Sequence, residues 1–596
     1  MVSTNRKILI MSVAAILFAV NFGALAQGSS TTTPSGEFIF GTPIQTTITD
    51  LNPLTVSNSV ASDIVSEIYA NTLLYMWPNG NLTSWLASSW SVTDNGNSSE
   101  TVTFHLNPNA EWVNGTNVVG QITSKDVKFT FDVMKANSSL DSFGVTKYLN
   151  NISTPNNTTV IFNFSKQSNL WLIYLSQQII IPSSWSQYDS GNLSKIGDYT
   201  NMHNPIGQVI SAGPFILNSS NSAGATMVAN THFWMGTPKI AKIIWEEFKS
   251  TSTSTEALKT GAIAAEFPSL SDYNSLSTTP NITNVAMPEP WIFNLWMNNG
   301  HAPFNNVHFR KGIAYAINKT QIMQKAEDGL GTYGSQNVSF GGLPTLLKSY
   351  WANNLTYYGY NVSKAKAEFE KAGYHLNTSV SKQFLVNNTT NKMLTVTIEE
   401  PPISDWESAA TFIQSNLIAA GINTNVVVAP FSTWGSYTFN QTNFVGMSYF
   451  GFVPSFTNPY YDLQDLYGYG SFWSGIYNSS NKSIPSDLNS SVTITNNSQL
   501  MQSLYPIQKM ISEEVPIIPI GNAYNYYAYN DKLVAGVIAN MSITNPLNLM
   551  NIYQPTQTSP SSSPNIVYIG GGVVIAAVII GSIGYMLKKK GKQGDQ

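Results

Sequence analysis

Residues 566–587 form an unbroken run of uncharged, mostly apolar residues that passes straight into Lys588, Lys589 and Lys590. At about 22 residues it is long enough to cross a bilayer as one helix. No other feature limits the chain so firmly, because a run this long and apolar needs either lipid or a very large core around it. The opposite end reads "MVSTNRKILIMSVAAILFAVNFGALAQG", with Arg6 and Lys7, an apolar stretch and a small-x-small "ALA" before Gln27. That is the layout of a secretory signal over 1–26, with a retained N-terminal helix as the alternative. Lysines 588–590 and Lys592 place the tail 588–596 in the cytoplasm. The expectation is an exported body hung from the cell membrane by a single-pass C-terminal helix. A flexible lead, 27–35, precedes the body. A Ser/Thr/Pro linker, "QPTQTSPSSSPN" (554–565), acts as its stalk.

The body between Gly36 and Tyr553 is long enough for two or three lobes. Hydrophobic content is 42%, normal for a packed core, yet charged residues are only 10%, against roughly 25% in ordinary soluble domains. A net charge of −4 leaves no basic face, so nucleic acid is discounted as a partner. There is no cysteine, which excludes disulfides, thiolate metal sites and a cysteine nucleophile. N-x-Ser/Thr sequons recur from Asn81 to Asn540 and suit a glycosylated surface protein. Few carboxylates beneath many glycans also suit an acidic exterior, where titrating paired acids destabilises a fold.

Local patterns alternate along the body. "TVTFHL" (101–106) and "LTVTIEE" (394–400) read as strands. "SKDVKFTFDVMKA" reads as a helix capped by Ser124, and "VSKAKAEFEKAGY" as one capped by Ser363 and stopped by Gly373. "DWESAATFIQSNLIAAGINTNVVV" predicts a helix ended by Gly421 that leads directly into a strand, the habit of open α/β sheets.

Several stretches, in order, resemble the extracellular solute-binding proteins of ABC importers, family 5, the peptide/nickel/oligosaccharide-binding class. "TDLNPLTVSNSVASDIVSEIYANTLLYMWPNGNLTSWLASSWSVTDNG" is similar to that family's opening, and "TVTFHLNPNAEWVNGTNV" with "ITSKDVKFTFDVM" to its next block. "SAGPFIL", "HFRKGIAYAINKTQIM" and "KAKAEFEKAGY" follow in the family's order. The resemblance implies an α/β, two-lobed fold of the periplasmic-binding-protein type II class, with an extra subdomain in lobe one. To this the apolar run adds a C-terminal transmembrane anchor of archaeal type. Carried onto this chain, lobe one is 36–291 with a return at 513–553, and lobe two is 292–512. "PWIFNLWMNN" (290–299) would be the first crossing strand and "EVPIIPIGN" (514–522) the second.

Peptide-binding members commonly carry "A-D-Y-x-[DE]-P", whose first acid pairs with the ligand's α-ammonium. Here "GFVPSFTNPYYD" has Ser455 at that acid and Asn458 at the second, while Asn71 in "IYANTLL" stands where some members carry another acid. A neutral cleft cannot hold a buried ammonium cheaply, so the expectation leans to a neutral oligosaccharide, with an oligopeptide as the alternative. Trp296, Trp434 and Trp473 are candidates to stack on sugar rings, although most of the 14 tryptophans belong in a core. The implied partners are ABC permease subunits with their ATPases. No cofactor, catalytic residue or metal ligand is assigned.

The remaining motifs carry no reaction. "GLGTYG" (329–334) lacks the strand-before, helix-after context of a dinucleotide site, and the six histidines are scattered. An anchored glycoside hydrolase, needing only two facing acids, is the second hypothesis, and an adhesive surface protein the third.

Overall fold

The computed structural model describes residues 33–555, apart from 43–50, 199–208, 334–337, 378–382, 453–457, 470–481 and a few single or paired positions. The expected signal 1–26, membrane run 566–587 and tail 588–596, with most of the lead and linker, lie outside the described residues. Among the described residues no helix is long and apolar enough to cross a membrane.

Two strands run far longer than the rest, Ile282–Met297 and Ile518–Asn530. At about 3.3 Å per residue the first spans roughly 50 Å, more than one core needs. The two pair antiparallel from Ile282↔Asn530 to Leu295↔Ile518, with a register shift between Pro288 and Ile292. Pro288 and Pro290 have no N–H to donate, so the ladder breaks there.

These strands are the centre of a ten-stranded sheet. In chain order its members are β1 (Ser35–Thr42), β2 (Phe215–Asn221), β3 (Gly224–Ala229), β4 (Ile240–Glu247) and β5 (Ala265–Glu266), then β6 (Ile282–Met297), β7 (Thr395–Glu400), β8 (Asn423–Val428), β9 (Met447–Phe452) and β10 (Ile518–Asn530). Across the sheet they lie in the order β2-β3-β4-β1-β5-β10-β6-β9-β7-β8. β1 is parallel to β4 and β5, and β7 to β8 and β9, whereas β6 and β10 are antiparallel to each neighbour.

Each half of this sheet belongs to a different core. Phe38, Phe40, Ile243, Trp245, Met287 and Tyr527 fall in one hydrophobic cluster. Phe293, Leu295, Ile398, Tyr449 and Ile520 fall in a second, and Trp296, Phe450, Phe452 and Leu463 in a third. Side chains alternate along a strand, so Phe293 and Leu295 face the second cluster while Trp296 faces the third. The chain is thus two-lobed and mixed α/β. The core changes between Met287 and Phe293, and changes back between Ile520 and Tyr527. The second handover falls later than residue 513, because β10 starts inside the second core.

The first lobe also carries a four-stranded antiparallel sheet, formed in order by Ala87–Asp94, Glu100–Leu106, Thr159–Phe164 and Leu149–Asn156. Helix Ser124–Ala136 covers it, with Phe131 edge-on to Phe162 at 5.0 Å. Two caps differ from expectation. Thr123, not Ser124, precedes the first of these helices, and its N–H donates to Asp126 Oδ2 at 2.7 Å. Ser124 Oγ instead donates to the Asn156 carbonyl at 2.6 Å. Helix Val362–Lys371 is capped by Asn361, whose Oδ1 accepts from Lys364 N at 2.9 Å, rather than by Ser363. In both places two good capping residues stand close together, and the outer one takes the cap.

Candidate ligand-binding cleft

β7, β8 and β9 are parallel, so their carboxyl ends at Glu400, Val428 and Phe452 lie along one edge of the second lobe. Crevices beside such ends are where open α/β sheets hold ligands. Ser455, just beyond β9, and Trp473 lie outside the described residues. Asn458 starts helix Pro459–Tyr467 as its N-cap, its Oδ1 accepting from Tyr460 N at 3.0 Å and Tyr461 N at 2.9 Å. That oxygen is engaged by the helix.

The two described candidate tryptophans lie in the core. Trp296 is 0% exposed, stacked on Phe450 at 4.8 Å, and its Nε1 donates to the Phe450 carbonyl at 3.2 Å. Trp434 is 3% exposed and edge-on to the same Phe450 at 5.5 Å, with Nε1 donating to Ser448 Oγ at 3.0 Å. The structure brings these two together around one phenyl ring, with no open indole face for a sugar. Asn71 is buried in the first lobe, where its Nδ2 donates to the Ile180 carbonyl at 2.8 Å and its Oδ1 has no partner.

Trp291, five residues before Trp296 and on the other face of β6, is partly buried rather than enclosed. Its indole lies over Gly451, where a Cβ would meet Nε1 at 1.2 Å, and that Nε1 has no hydrogen-bond partner. Beside it Asn522 links the two crossing strands to the second lobe: Nδ2 donates to the Trp291 carbonyl at 3.3 Å, and Oδ1 accepts from Thr345 Oγ1 at 2.6 Å. The sequence names Trp291 within the crossing segment but carries no sign that it, rather than Trp296, is the less buried of the two.

The lobes also touch away from the crossing strands. Asn169 N donates to the Val492 carbonyl at 2.9 Å, and Tyr174 meets Tyr461 edge-on at 6.1 Å. Leu170 and Ile173 of the first lobe are buried in the third cluster, and Met76 and Leu82 pack against it.

A cavity of about 480 Å³ opens on the first lobe's side. Helix Ser59–Tyr69 supplies Asp63 and Ser66. The residues after it, turned by Ala70 at φ 40°, supply Ala70, Thr72, Leu74, Tyr75 and Met76. Phe267 and Asn525 come from beside β5 and from β10, and Thr544 and Asn545 from the C-terminal segment. Met76, which also packs on the third cluster, sets this cavity beside the contact between the lobes. Tyr75 and Trp85 lie 5.3 Å apart in its wall, the Tyr75 hydroxyl accepting from Asn545 Nδ2 at 3.0 Å. The helix end is fixed by Gly213: its N–H donates to the Ile68 carbonyl at 2.6 Å, and a Cβ there would lie 2.0 Å from the Glu67 carbonyl oxygen.

Burial pushes the Asp63 carboxyl up to about 7. One turn on, Glu67 is fully buried with Oε1 unpartnered, and Trp245 Nε1 lies 3.4 Å from Oε2. Its carboxyl is pushed well above the usual range by burial and then by the charge of Asp63. Neither acid is apparent from spacing alone as a site residue. Among the described residues no group of three His, Asp or Glu side chains could hold a metal ion.

A family model for bacterial extracellular solute-binding proteins, family 5, matches residues 81–473, about two-thirds of the chain. Curated relatives include the heme-binding protein A of Haemophilus influenzae, 23% identical over 48% of this chain and 53% of the relative. The nickel-binding periplasmic protein of Escherichia coli is 25% identical over 52% and 58%, and the dipeptide-binding protein of the same organism 23% over 59% and 64%. The chain therefore spans a little more than half to almost two-thirds of these relatives' lengths. In fold it is similar to the ABC transporter substrate-binding protein CtaP of Listeria monocytogenes, with a TM-score of 0.72 at 17% identity, covering 88% of this chain and 100% of that one. The oligopeptide-binding protein AppA of Bacillus subtilis, solved with a nonapeptide, gives 0.68 at 17% identity over 88% and 100%.

Proposed function

The chain belongs to the bacterial extracellular solute-binding proteins of family 5, and we propose that it is the capture subunit of an ABC importer. Proteins of this family bind cargo for transport and are not enzymes. In this reading the exported body takes a small organic solute between its lobes and delivers it unaltered to permease subunits powered by their ATPases. The apolar run 566–587 holds the body near its translocator, where tethering raises its effective concentration.

One observation carries the reading: two paired strands join two separately packed lobes, and a cavity opens beside that junction and the contact between the lobes. A ligand touching both lobes favours the closed arrangement over the open one. Ser455, Asn458 and Trp473 would contribute from the second lobe and Asn71 from the first, whereas Trp296 and Trp434 are enclosed in the core. The hydroxyls, amides and aromatic rings around the cavity suit an oligosaccharide. Relatives that bind dipeptides and a nonapeptide favour an oligopeptide.

Mass spectrometry of small molecules released on denaturing the freshly purified chain tests the proposal. An intact peptide or sugar supports it. Cleaved products from added oligosaccharides would replace it with a hydrolase.

A further inference from the structure

Among the described residues Asp63 is the one formally charged side chain in the wall of the cavity, and no lysine, arginine or histidine lines it there. Among the described residues no hydrogen bond or ion pair reaches its carboxylate. The same wall holds Tyr75, Trp85 and Phe267, aromatic rings of the kind whose faces attract cations. Thr72, Asn525 and Thr544 add neutral oxygens that can accept hydrogen bonds. A primary ammonium has three donors and one positive charge, and this wall offers one anion, neutral acceptors and aromatic faces.

We infer that Asp63 is the counter-charge for a primary ammonium on the transported solute, held from the first lobe beside the crossing strands. The inference rests on the receptor reading above and narrows its ligand class. A purely neutral cargo would close over Asp63 and leave a carboxylate desolvated without a partner, which is unfavourable. The neutral ligand expected from Ser455 and Asn71 therefore gives way to an amine-bearing one. The chemistry is common to the amino terminus of a short peptide and to an amino sugar.

A pH dependence follows. Glu67, one turn on along the same helix and fully buried, feels the charge of Asp63, and Tyr75 is a titratable group in the wall; among the described residues no other acid and no base lines it. With the free carboxyl held at about 7 by burial, an incoming cation must displace a proton at lower pH. Affinity then falls as pH drops below about 7, with proton release on binding.

The test equilibrates the full chain, in detergent, with a mixture of short peptides and separately with a mixture of neutral and glucosamine oligosaccharides. Retained species are read by mass spectrometry, and the mixture that yields them separates the two sources of the amine. Species carrying a primary amine support the inference, provided that acetylating the amine weakens binding to the unaltered protein by roughly tenfold to a hundredfold. Asp63→Asn should cause a comparable loss for the amine ligand and abolish proton release in calorimetry. If Asp63→Asn does not fold, the acetylation comparison decides alone. Retention of neutral species, or indifference to acetylation, overturns the role of Asp63 and leaves the receptor reading standing. Retention of nothing from either mixture overturns both.

Discussion

Replacing Trp434 with alanine distinguishes a tryptophan that stacks on cargo from one that holds up the second lobe. The indole is 3% exposed and packs on Trp406 at 5.9 Å, Phe439 at 5.4 Å and Phe450 at 5.5 Å. Truncating a fully buried tryptophan costs about 3–5 kcal/mol. Ser448, itself fully buried, also loses the Nε1–H that donates to its hydroxyl at 3.0 Å, for about 1 kcal/mol more. The sum, roughly 4–6 kcal/mol, is a large share of the ~5–15 kcal/mol that holds a folded domain together. Trp434→Phe keeps the ring contacts and loses mainly the donor, so about 1–2 kcal/mol is expected. Urea unfolding followed by circular dichroism measures both. Were Trp434→Ala to stay within about 1 kcal/mol of the parent while cargo affinity vanished, the core assignment would be refuted.

Other consequences concern acids, a glycine and a cap. Burial raises the carboxyls of Asp63 and Glu100 to about 7 and Asp465 to about 6, and pushes Glu67, Glu400 and Asp462 up as well. An acid raised on folding stabilises fully below its unfolded value and loses that contribution as pH rises through its folded one. Melting temperature should therefore rise as pH is lowered from neutral towards 5, and a steady fall over that window would contradict the burial of these acids. Lys319 is pushed down to about 7 by burial, so stability should also increase as pH climbs from there towards the ordinary lysine value near 10. Lys319→Met should flatten that upper limb in the same melting series. Gly213→Ala would set a methyl 2.0 Å from a backbone carbonyl of helix Ser59–Tyr69; a loss of about 3 kcal/mol or more is expected, with weakened cargo binding, read by urea titration and calorimetry. Asn458→Ala removes an N-cap accepting two backbone N–H groups, so about 1 kcal/mol should be lost in urea unfolding.

Much of the local structure could be read directly from the chain. Strand Glu100–Leu106 buries Val102, Phe104 and Leu106 in the alternation that "TVTFHL" predicts. Helix Ser404–Ala419 ends before Gly421 at φ 96° and passes into β8, as the glycine and the β-branched run beyond it indicate. The cap positions were less legible, because Thr123 and Ser124, or Asn361 and Ser363, have nearly equal capping power and only the helix start chooses between them.

Sequence by itself implied the two-lobed class through the resemblance carried by its motif order, and determined many strands and helices through local signals: period, cap and breaker. The tertiary structure alone decided which aromatic rings are enclosed and which line a hollow. Both faces of β6 are covered, so Trp291, Phe293 and Trp296 carry the same apolar signal although they meet different neighbours. Asp63 is the converse case. On an ordinary amphipathic helix an aspartate reads as a solvated residue, and it lines a cavity only because Phe267, Asn525 and Thr544, some two hundred to nearly five hundred residues away in the chain, supply other parts of the same wall. Burial is a property of what packs against a residue, and that partner is set by the whole fold rather than by neighbours in sequence.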